Sequence, residues 1–258
     1  MLTKRDQQLI LQAHDRHGRR KLGIFLAEGL RGCREGVTRL PDRLLLLVHS
    51  VTFRTSVEFP ALAALLPPDA HIEEVADAEF AKLAVTETPQ GVLCLFRALD
   101  EPPPARELPK PYLLVLDRVQ DPGNLGTILR TAWAAGLREA WCTEGCAEPC
   151  GPKAVRAGMG AQFALTLRFF PDLAAVRAEF ARLGGTQLWA AVPMGGISCF
   201  APEFAVAGQC LIIGNEANGI TDLAGLDRVT IPMPGDAESL NAAQAATVLL
   251  VEGVRRGL

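Results

Sequence analysis

Long apolar runs are missing from this sequence. No stretch of eighteen residues is apolar and free of charge, whereas a helix that crosses a membrane needs about twenty such residues. The opening residues MLTKRDQQLILQAHDR carry charges where a secretory signal has its apolar segment. Aromatic residues make up only 6% of the chain, and 49% of all residues are hydrophobic, as is usual in water-soluble proteins. We therefore expect a cytoplasmic protein that does not associate with membranes.

The seven cysteines do not form a disulfide pattern, because their number is odd and they are scattered along the chain. Cys142, Cys146 and Cys150 have C-x3-C-x3-C spacing, which is close to the spacings that bind iron–sulfur clusters but differs from them. No fourth thiol or histidine lies near them in the sequence. The pattern favours small buried thiols beside the end of a strand, and we expect no metal site.

Positive charge is concentrated at the beginning of the chain, although the net charge is -3. Residues 1–43 contain ten Lys or Arg and five Asp or Glu, so the remainder is acidic. The densest cluster is RHGRRKLG at 16–23, in which Arg19, Arg20 and Lys21 are candidate contacts for nucleic-acid phosphates. The alternative is a solvated surface with no ligand, and the cluster alone does not decide between them.

A proline-rich segment, LDEPPPARELPKP at 99–111, divides the chain. Its five prolines and alternating charges predict an extended, exposed and semi-rigid linker. This linker separates a first domain at 1–98 from a second domain at 112–258.

Buried strands alternate with helices in the second domain. Strands are predicted at 112–117, 139–143, 188–192 and 210–214, and helices at 125–136 and 241–256. In the first domain, the pattern predicts strands at 44–48 and 91–96 and a short helix at 77–85. Such alternation is typical of an α/β fold with a parallel sheet and helices on both faces. Ligands of these sheets lie beyond the carboxyl ends of the strands, so the loops after 112–117 and 210–214 are the candidate site.

The first of these loops begins the segment DRVQDPGNLGTILR at 117–130. Asn124 is placed either to cap the helix that follows or to act in a site. Arg130 lies among apolar residues of that helix, where packing alone gives no reason for a charge. A nicotinamide-binding domain is one alternative, but its G-x-G-x-x-G fingerprint is missing, because only Gly123 and Gly126 are present.

Two later segments distinguish these interpretations. LIIGNEANGI at 211–220 leads from a strand into a polar loop, and IPMPGDAESLNAAQAATVLL at 231–250 precedes the last helix, which Ser239 or Asn241 could cap. Together with LDRVQDPGNLGTILRTAWAAG at 116–136, they resemble in order and spacing the three motifs of the SpoU or TrmH family of RNA ribose 2'-O-methyltransferases. The segment at 147–165 is similar to the family's connection between its first two motifs.

This resemblance implies both a fold and a reaction. The fold is an α/β parallel-sheet domain of the SPOUT superfamily, whose C-terminal segment forms a deep trefoil knot, preceded by a smaller L30e-like RNA-binding domain. Segments 18–37 and 85–96 are similar to that smaller domain. The reaction is methyl transfer from S-adenosylmethionine (AdoMet) to a ribose 2'-hydroxyl of structured RNA, with no metal. Family members are homodimers, and both protomers complete each active site.

The resemblance also assigns residues to this reaction. The catalytic positions are Asn124, Arg130, Glu216, Ser239 and Asn241. Backbone groups around Gly214, Ile231 and Leu240 are expected to hold AdoMet, since glycine lets the backbone approach a ligand closely. Lys153 and Arg156 occupy basic positions of the connecting segment and are expected to contact RNA.

The expected roles follow from the chemistry of the side chains. A guanidinium resists deprotonation and binds phosphate with two hydrogen bonds, so we expect Arg130 to orient the phosphate of the target nucleotide and stabilise the developing alkoxide. Asn124 is expected to position Arg130 or the hydroxyl, and Glu216 to anchor its loop by hydrogen bonds. The acceptor of the proton stays unassigned.

The identity of the RNA is less determined. Ribosomal RNA is favoured over transfer RNA because the additional domain is commoner among members that methylate ribosomal RNA. Gly158 and Met159 depart from the usual family residues, so the approach of the substrate is expected to differ. An RNA-binding module without catalysis is the remaining alternative, and the retained polar residues of the three motifs argue against it.

Overall fold

The computed structural model describes residues 2–256. Up to residue 97 its elements are α1 (Lys4–Gln12), α2 (Arg16–Leu22), β1 (Ile24–Glu28), α3 (Leu30–Arg39), β2 (Leu44–Ser50), α4 (Val51–Arg54), α5 (Phe59–Ala63), β3 (Ile72–Val75), α6 (Asp77–Leu83) and β4 (Val92–Arg97). The remaining elements are β5 (Leu113–Leu116), α7 (Pro122–Ala134), β6 (Glu139–Thr143), α8 (Pro152–Gly158), β7 (Thr166–Phe170), α9 (Leu173–Arg182), β8 (Leu188–Ala191), β9 (Ile197–Ser198), β10 (Cys210–Ile213), β11 (Asp227–Thr230) and α10 (Ala242–Arg255). No helix within residues 2–256 is both long and apolar enough to span a membrane.

The chain divides into two compact units. The first contains the residues up to Asp100 together with Glu148–Phe163, and the second contains Glu101–Ala147 and the residues from Ala164 onward. The break after Asp100 falls within the proline-rich linker, but the grouping of 148–163 with the first unit differs from the predicted boundaries. The physical reason is apolar packing: Val155 and Phe163 belong to the core of the first unit, and the Phe163 ring lies 5.3 Å from that of Phe25.

The first unit is built on a four-stranded sheet in the order β1-β4-β2-β3. Strand β4 runs antiparallel to both β1 and β2, and β3 is parallel to β2. Alternate residues of β1 point to opposite faces, so Phe25 and Ala27 join one apolar core while Ile24 and Leu26 join another. Both faces of this sheet are therefore covered.

The second unit contains a seven-stranded sheet in the order β7-β6-β5-β10-β8-β11-β9. Every pairing in it is parallel, which confirms the predicted α/β fold with a parallel sheet. In β5, Leu113 and Val115 pack in the same core as residues of α9, while Leu114 and Leu116, on the opposite face, are equally buried. Helices α7 and α10 pack against each other.

The strand order positions the candidate site. Strand β10 lies directly beside β5 in parallel register, with Ile213 opposite Leu116. The loops that follow these two strands therefore leave the same edge of the sheet side by side. This adjacency brings the polar segment after β5 next to the polar segment after β10. Arg118 of the first and Asn215 of the second are 97 residues apart in sequence.

Part of the proline-rich linker is less exposed than expected. Ala105 is buried, and its carbonyl oxygen accepts a hydrogen bond of 2.6 Å from the Arg182 guanidinium. The Pro103 carbonyl accepts another from Arg168. These bonds fix the middle of the linker to the second unit.

Candidate active site

The loops after β5 and β10 are joined by hydrogen bonds around Asp117. This carboxylate is only 1% exposed. Its Oδ2 accepts from the backbone N–H of Thr221 at 2.7 Å and from the Thr221 hydroxyl at 2.8 Å. Its Oδ1 accepts from the Thr143 hydroxyl at 2.9 Å. Asn215 adds a further bond, since its Nδ2 donates to the Arg118 carbonyl at 2.9 Å.

Three predicted site residues form one hydrogen-bonded chain across the three motifs. Asn124 Nδ2 donates to Glu216 Oε1 at 2.8 Å, and Asn241 Nδ2 donates to Asn124 Oδ1 at 3.0 Å. The backbone N–H of Gln120 donates to the second oxygen of Glu216 at 3.4 Å. Residues at 124, 216 and 241, far apart in sequence, therefore occupy one polar cluster, in which Glu216 accepts from two residues of the segment after β5.

The helix caps decide between the two readings of Asn124. Asp121 is the N-cap of α7, because its side chain accepts from the Asn124 backbone N–H at 2.8 Å. The capping alternative for Asn124 is therefore wrong, and its side chain is available to Glu216 and Asn241. Asn241 does cap α10, accepting from the backbone N–H of Ala243 at 2.9 Å, while its amide nitrogen serves the polar cluster.

A cavity opens beside this cluster, at the carboxyl ends of β8 and β10. Five of the predicted site residues line it: Gly214, Glu216, Ile231, Ser239 and Leu240. The other lining residues are mainly apolar, among them Val192, Pro193, Ile213, Met233 and Leu249. No Lys, Arg or His belongs to the lining among the described residues, and Glu216 is its single carboxylate. Sequence reasoning missed the apolar lining because these side chains resemble any other core residues.

Gly214 is required by the loop itself. A Cβ at this position would lie 2.5 Å from the Gly219 carbonyl carbon and 2.6 Å from the Ile220 nitrogen, closer than backbone atoms tolerate. The loop folds back here because Asn215 and Gly219 exchange two backbone hydrogen bonds of 2.9 Å. The sequence-based reason for this glycine, access of the backbone to a ligand, is therefore incomplete, since closure of the loop already excludes a side chain.

Arg130 lies apart from the polar cluster. It is exposed on α7, does not line the cavity, and has no hydrogen-bond or ion-pair partner within residues 2–256. Six residues along a helix correspond to a rise of about 9 Å and to directions about 120° apart, so Asn124 and Arg130 face different sides of α7. Of the two expected roles of Asn124, positioning Arg130 or the hydroxyl, the first is not seen in this structure, because the Asn124 amide is bonded to Glu216 and Asn241.

The predicted phosphate contacts in the first unit separate into two kinds. Arg19 is 7% exposed and forms a 2.6 Å ion pair with Glu148, and it also donates to the carbonyls of Ala13 and His14. Arg19 therefore has a structural role, which corrects the prediction that it contacts phosphate. Lys21 and Arg20 are exposed, as their predicted role requires.

Lys153 and Arg156 are also exposed on α8. Arg156 lines a cleft of the first unit together with Arg31, Thr86 and Gln90. The sequence did not identify Arg31, because nothing in its neighbourhood distinguishes it from other surface arginines.

The cysteines of the C-x3-C-x3-C series differ in exposure, since Cys142 is buried while Cys146 and Cys150 are half-buried. All seven are free, and no group of three His, Cys, Asp or Glu within residues 2–256 is arranged to hold a metal. Burial raises the pKa of the Cys150 thiol to about 12, and Cys150 packs on the core of the first unit. A hydrogen bond with Cys146 is the main reason that the pKa of Cys142 is raised.

Comparison with known proteins gives consistent matches. The model of the SpoU rRNA Methylase family matches residues 111–251, and that of the MRM3-like substrate binding domain matches residues 8–94. The chain is 32% identical over 247 residues to the 23S rRNA (guanosine(2553)-2'-O)-methyltransferase RlmP of Bacillus subtilis, covering 92% of this chain and 91% of that protein.

Two solved structures match nearly the whole chain. A TrmH-family protein from Porphyromonas gingivalis superposes with a TM-score of 0.82 at 32% identity, covering 100% of both chains. The SpoU methyltransferase AviRb from Streptomyces viridochromogenes, in complex with AdoMet, superposes with a TM-score of 0.81 at 28% identity, covering 98% of both chains.

Proposed function

Because the chain belongs to the SpoU rRNA methylase family, we propose that it transfers a methyl group from AdoMet to a ribose 2'-hydroxyl of ribosomal RNA. The observation that carries this proposal is the Asn124–Glu216–Asn241 cluster, whose Glu216 lines the cavity. It joins all three motifs at the sheet edge where ligands of parallel sheets bind.

The residues of the cavity fit AdoMet. When bound, this co-substrate supplies a methyl group attached to a positively charged sulfur. The sulfur leaves as a neutral thioether, which needs no metal to assist it. The lining contains one carboxylate and no cationic side chain, which suits a cation and disfavours the phosphates of a dinucleotide. Apolar side chains such as Ile231 and Leu240 can cover the flat faces of an adenine, as is usual in small-molecule sites. Gly219, with φ +68 and open space beside its Cα, leaves the backbone accessible from the cavity.

The polar cluster and Arg130 have different roles toward the ribose hydroxyl that accepts the methyl group. The ribose hydroxyl must be aligned with the methyl group and must lose its proton as the new C–O bond forms. Asn124, which accepts a hydrogen bond from Asn241, donates to Glu216 and holds it in place, and Ser239 lines the cavity. Arg130 is exposed and free to bind a phosphate of the RNA with two hydrogen bonds.

The direct test is methyl transfer by the whole purified chain. We expect it to bind AdoMet and to transfer labelled methyl groups to unmodified ribosomal RNA, giving a linkage that resists alkaline cleavage at one nucleotide. A metal chelator should leave the rate unchanged. Labelling of transfer RNA in place of ribosomal RNA would support the alternative substrate, and the absence of both AdoMet binding and transfer would leave only an RNA-binding module.

The cleft of the first unit is the proposed RNA contact. Arg31 and Arg156 line it from α3 and α8, and arginine side chains neutralise phosphates. Replacing both by alanine is expected to weaken RNA binding at least tenfold at moderate salt and to reduce the slope of log K against log salt by about 2, since two phosphate contacts are lost. Affinity for AdoMet should not change.

The matched control for this pair is Arg97, an exposed arginine of the same unit that does not line the cleft. An Arg97→Ala variant should bind RNA nearly as the unchanged protein does. Equal losses in the control and in the double variant would contradict a specific contact and indicate a general effect of charge.

A homodimer and a cytoplasmic location belong to the same proposal. Val251 and Val254, which are 55% and 45% exposed on α10, and Phe200, which is 57% exposed, are large apolar side chains that a second protomer could cover. Sedimentation equilibrium should give a mass of two chains, and a mass of one chain at micromolar concentration would contradict the dimer. The location is inferred from the RNA substrate, and recovery with membranes on cell fractionation would oppose it.

A further inference from the structure

We propose that Asp117 is a positioning residue of the methyl-transfer site, which holds the AdoMet-binding loop at 214–221 in register with the segment at 118–124. This inference rests on the proposed function of that site. Asp117 does not line the cavity, so it would act through the residues it binds and not through contact with either substrate.

The burial of Asp117 indicates that its bonds matter. A carboxylate that is 1% exposed is costly unless its oxygens are satisfied by donors. Three donors meet it here, from the backbone and hydroxyl of Thr221 and from the hydroxyl of Thr143. Two of these bonds fix Thr221, the last residue of the AdoMet-binding loop, directly to the end of β5.

The beginning of the AdoMet-binding loop is fixed to Arg118, the residue that follows Asp117. Arg118 has φ +57, a left-handed conformation that is uncommon for residues other than glycine and that persists only where the surroundings hold it. Its backbone N–H donates to the Thr143 hydroxyl at 3.0 Å, and its carbonyl accepts from Asn215 at 2.9 Å. Asn215 in turn accepts from the backbone N–H groups of Ala217 and Asn218.

These bonds couple the two halves of the site. Both ends of the AdoMet-binding loop, Asn215 and Thr221, are bonded to residues 117 and 118. A few residues further along the same segment, Gln120 and Asn124 bind the Glu216 carboxylate. Loss of the Asp117 bonds would free the loop at one end, so the AdoMet cavity and the Glu216 carboxylate would lose their relative position together.

Asp117→Asn is the principal test, because it keeps the shape while replacing one acceptor oxygen by a donor. We expect the Kd for AdoMet to rise about tenfold or more and kcat to fall by a similar factor, since one charged hydrogen bond corresponds to roughly a tenfold change. The KM for RNA should stay within twofold, because the Arg31 and Arg156 cleft is untouched. A change in the AdoMet Kd and in kcat without a change in the RNA KM distinguishes a positioning role from a general loss of structure.

Glu252→Gln is the matched control. Glu252 is likewise a buried carboxylate of the second unit, 5% exposed, but it binds Arg255 at the end of α10 and Arg256 directly after it, and no residue of the loop. This variant should lose thermal stability and keep the AdoMet Kd. If both variants weaken AdoMet binding in proportion to their loss of stability, Asp117 is merely structural and the proposal is wrong.

Two substitutions of Thr221 keep the proposal testable if Asp117→Asn fails to fold. Thr221→Val removes the hydroxyl bond and should raise the AdoMet Kd severalfold. Thr221→Ser retains the hydroxyl, so its AdoMet Kd should equal that of the unsubstituted protein. Equal affinities for the two variants would overturn the inference. If the unsubstituted protein itself binds no AdoMet, the proposed function is wrong. This outcome differs from equal affinities of the two variants, which would overturn only the role of Asp117.

Discussion

Replacing Arg130 by alanine is expected to lower kcat for methyl transfer about 100-fold while the Kd for AdoMet stays within twofold. The physical reason is that Arg130 is exposed on α7 and lies outside the cavity lining, so AdoMet does not need it. Its guanidinium would act only on the RNA, where a positioned cation that stabilises developing charge typically contributes about 100-fold to 1000-fold in rate. The measurement is single-turnover transfer at saturating AdoMet and RNA, with calorimetric titration of AdoMet.

Two further variants give this result its meaning. Arg130→Lys keeps the charge but not the two parallel hydrogen bonds of a guanidinium, so we expect it to recover only part of the rate. Arg138 is an exposed arginine of the same unit at the opposite end of the sheet, before β6, and Arg138→Ala should transfer normally. A normal rate for Arg130→Ala would show that Arg130 takes no part in the mechanism. A loss of AdoMet affinity would show that Arg130 acts on AdoMet binding and not on the RNA.

Replacing Gly214 by valine is expected to weaken AdoMet binding at least 100-fold and to destabilise the second unit. The first atom of any side chain would lie 2.5 Å from the Gly219 backbone, so the loop from Asn215 to Gly219 cannot close. Overpacking of this kind costs about 1–3 kcal/mol, and here the strain falls on the wall of the cavity that we propose for AdoMet. Thermal unfolding and calorimetric titration of AdoMet measure the two effects separately.

Gly225 provides the control for this substitution. It has φ +68 and no atom within 4 Å of an added Cβ, and it does not line the cavity. Gly225→Ala should therefore cost only the strain of a left-handed residue, about 1 kcal/mol, and leave AdoMet binding intact. Native affinity in Gly214→Val would mean that the loop is not a wall of the AdoMet site.

The two substitutions act on different parts of one arrangement. Gly214 lines the cavity proposed for the methyl donor, and Arg130 is proposed to act on the methyl acceptor. Asp117 and Glu216 connect these parts through hydrogen bonds between the loops after β5 and β10. Variants of Gly214 should therefore lose both binding and transfer, whereas variants of Arg130 should lose transfer alone.

The apolar strands of the sheet were predictable because their signal is local. Residues 112–117, 139–143, 188–192 and 210–214 are short continuous apolar runs, and each contains an observed strand, β5, β6, β8 and β10. Strands β7, β9 and β11 were missed, since TLRFF, IS and DRVT carry polar residues and lie towards the two sides of the sheet.

The sequence by itself determined the parallel α/β fold, the three motifs and most of the polar cluster. Asn124, Glu216 and Asn241 were implied by the resemblance of the three motifs to the SpoU or TrmH family, since the local pattern alone left Asn124 and Asn241 open between helix capping and a site. The tertiary structure alone decided which residue caps α7, that Arg19 is buried against Glu148, and that 148–163 packs with the first unit. It also decided that Asp117 receives three hydrogen bonds. The reason is physical: capping residues, arginines and aspartates carry the same chemistry wherever they occur, and only the partners supplied by distant segments determine how that chemistry is used.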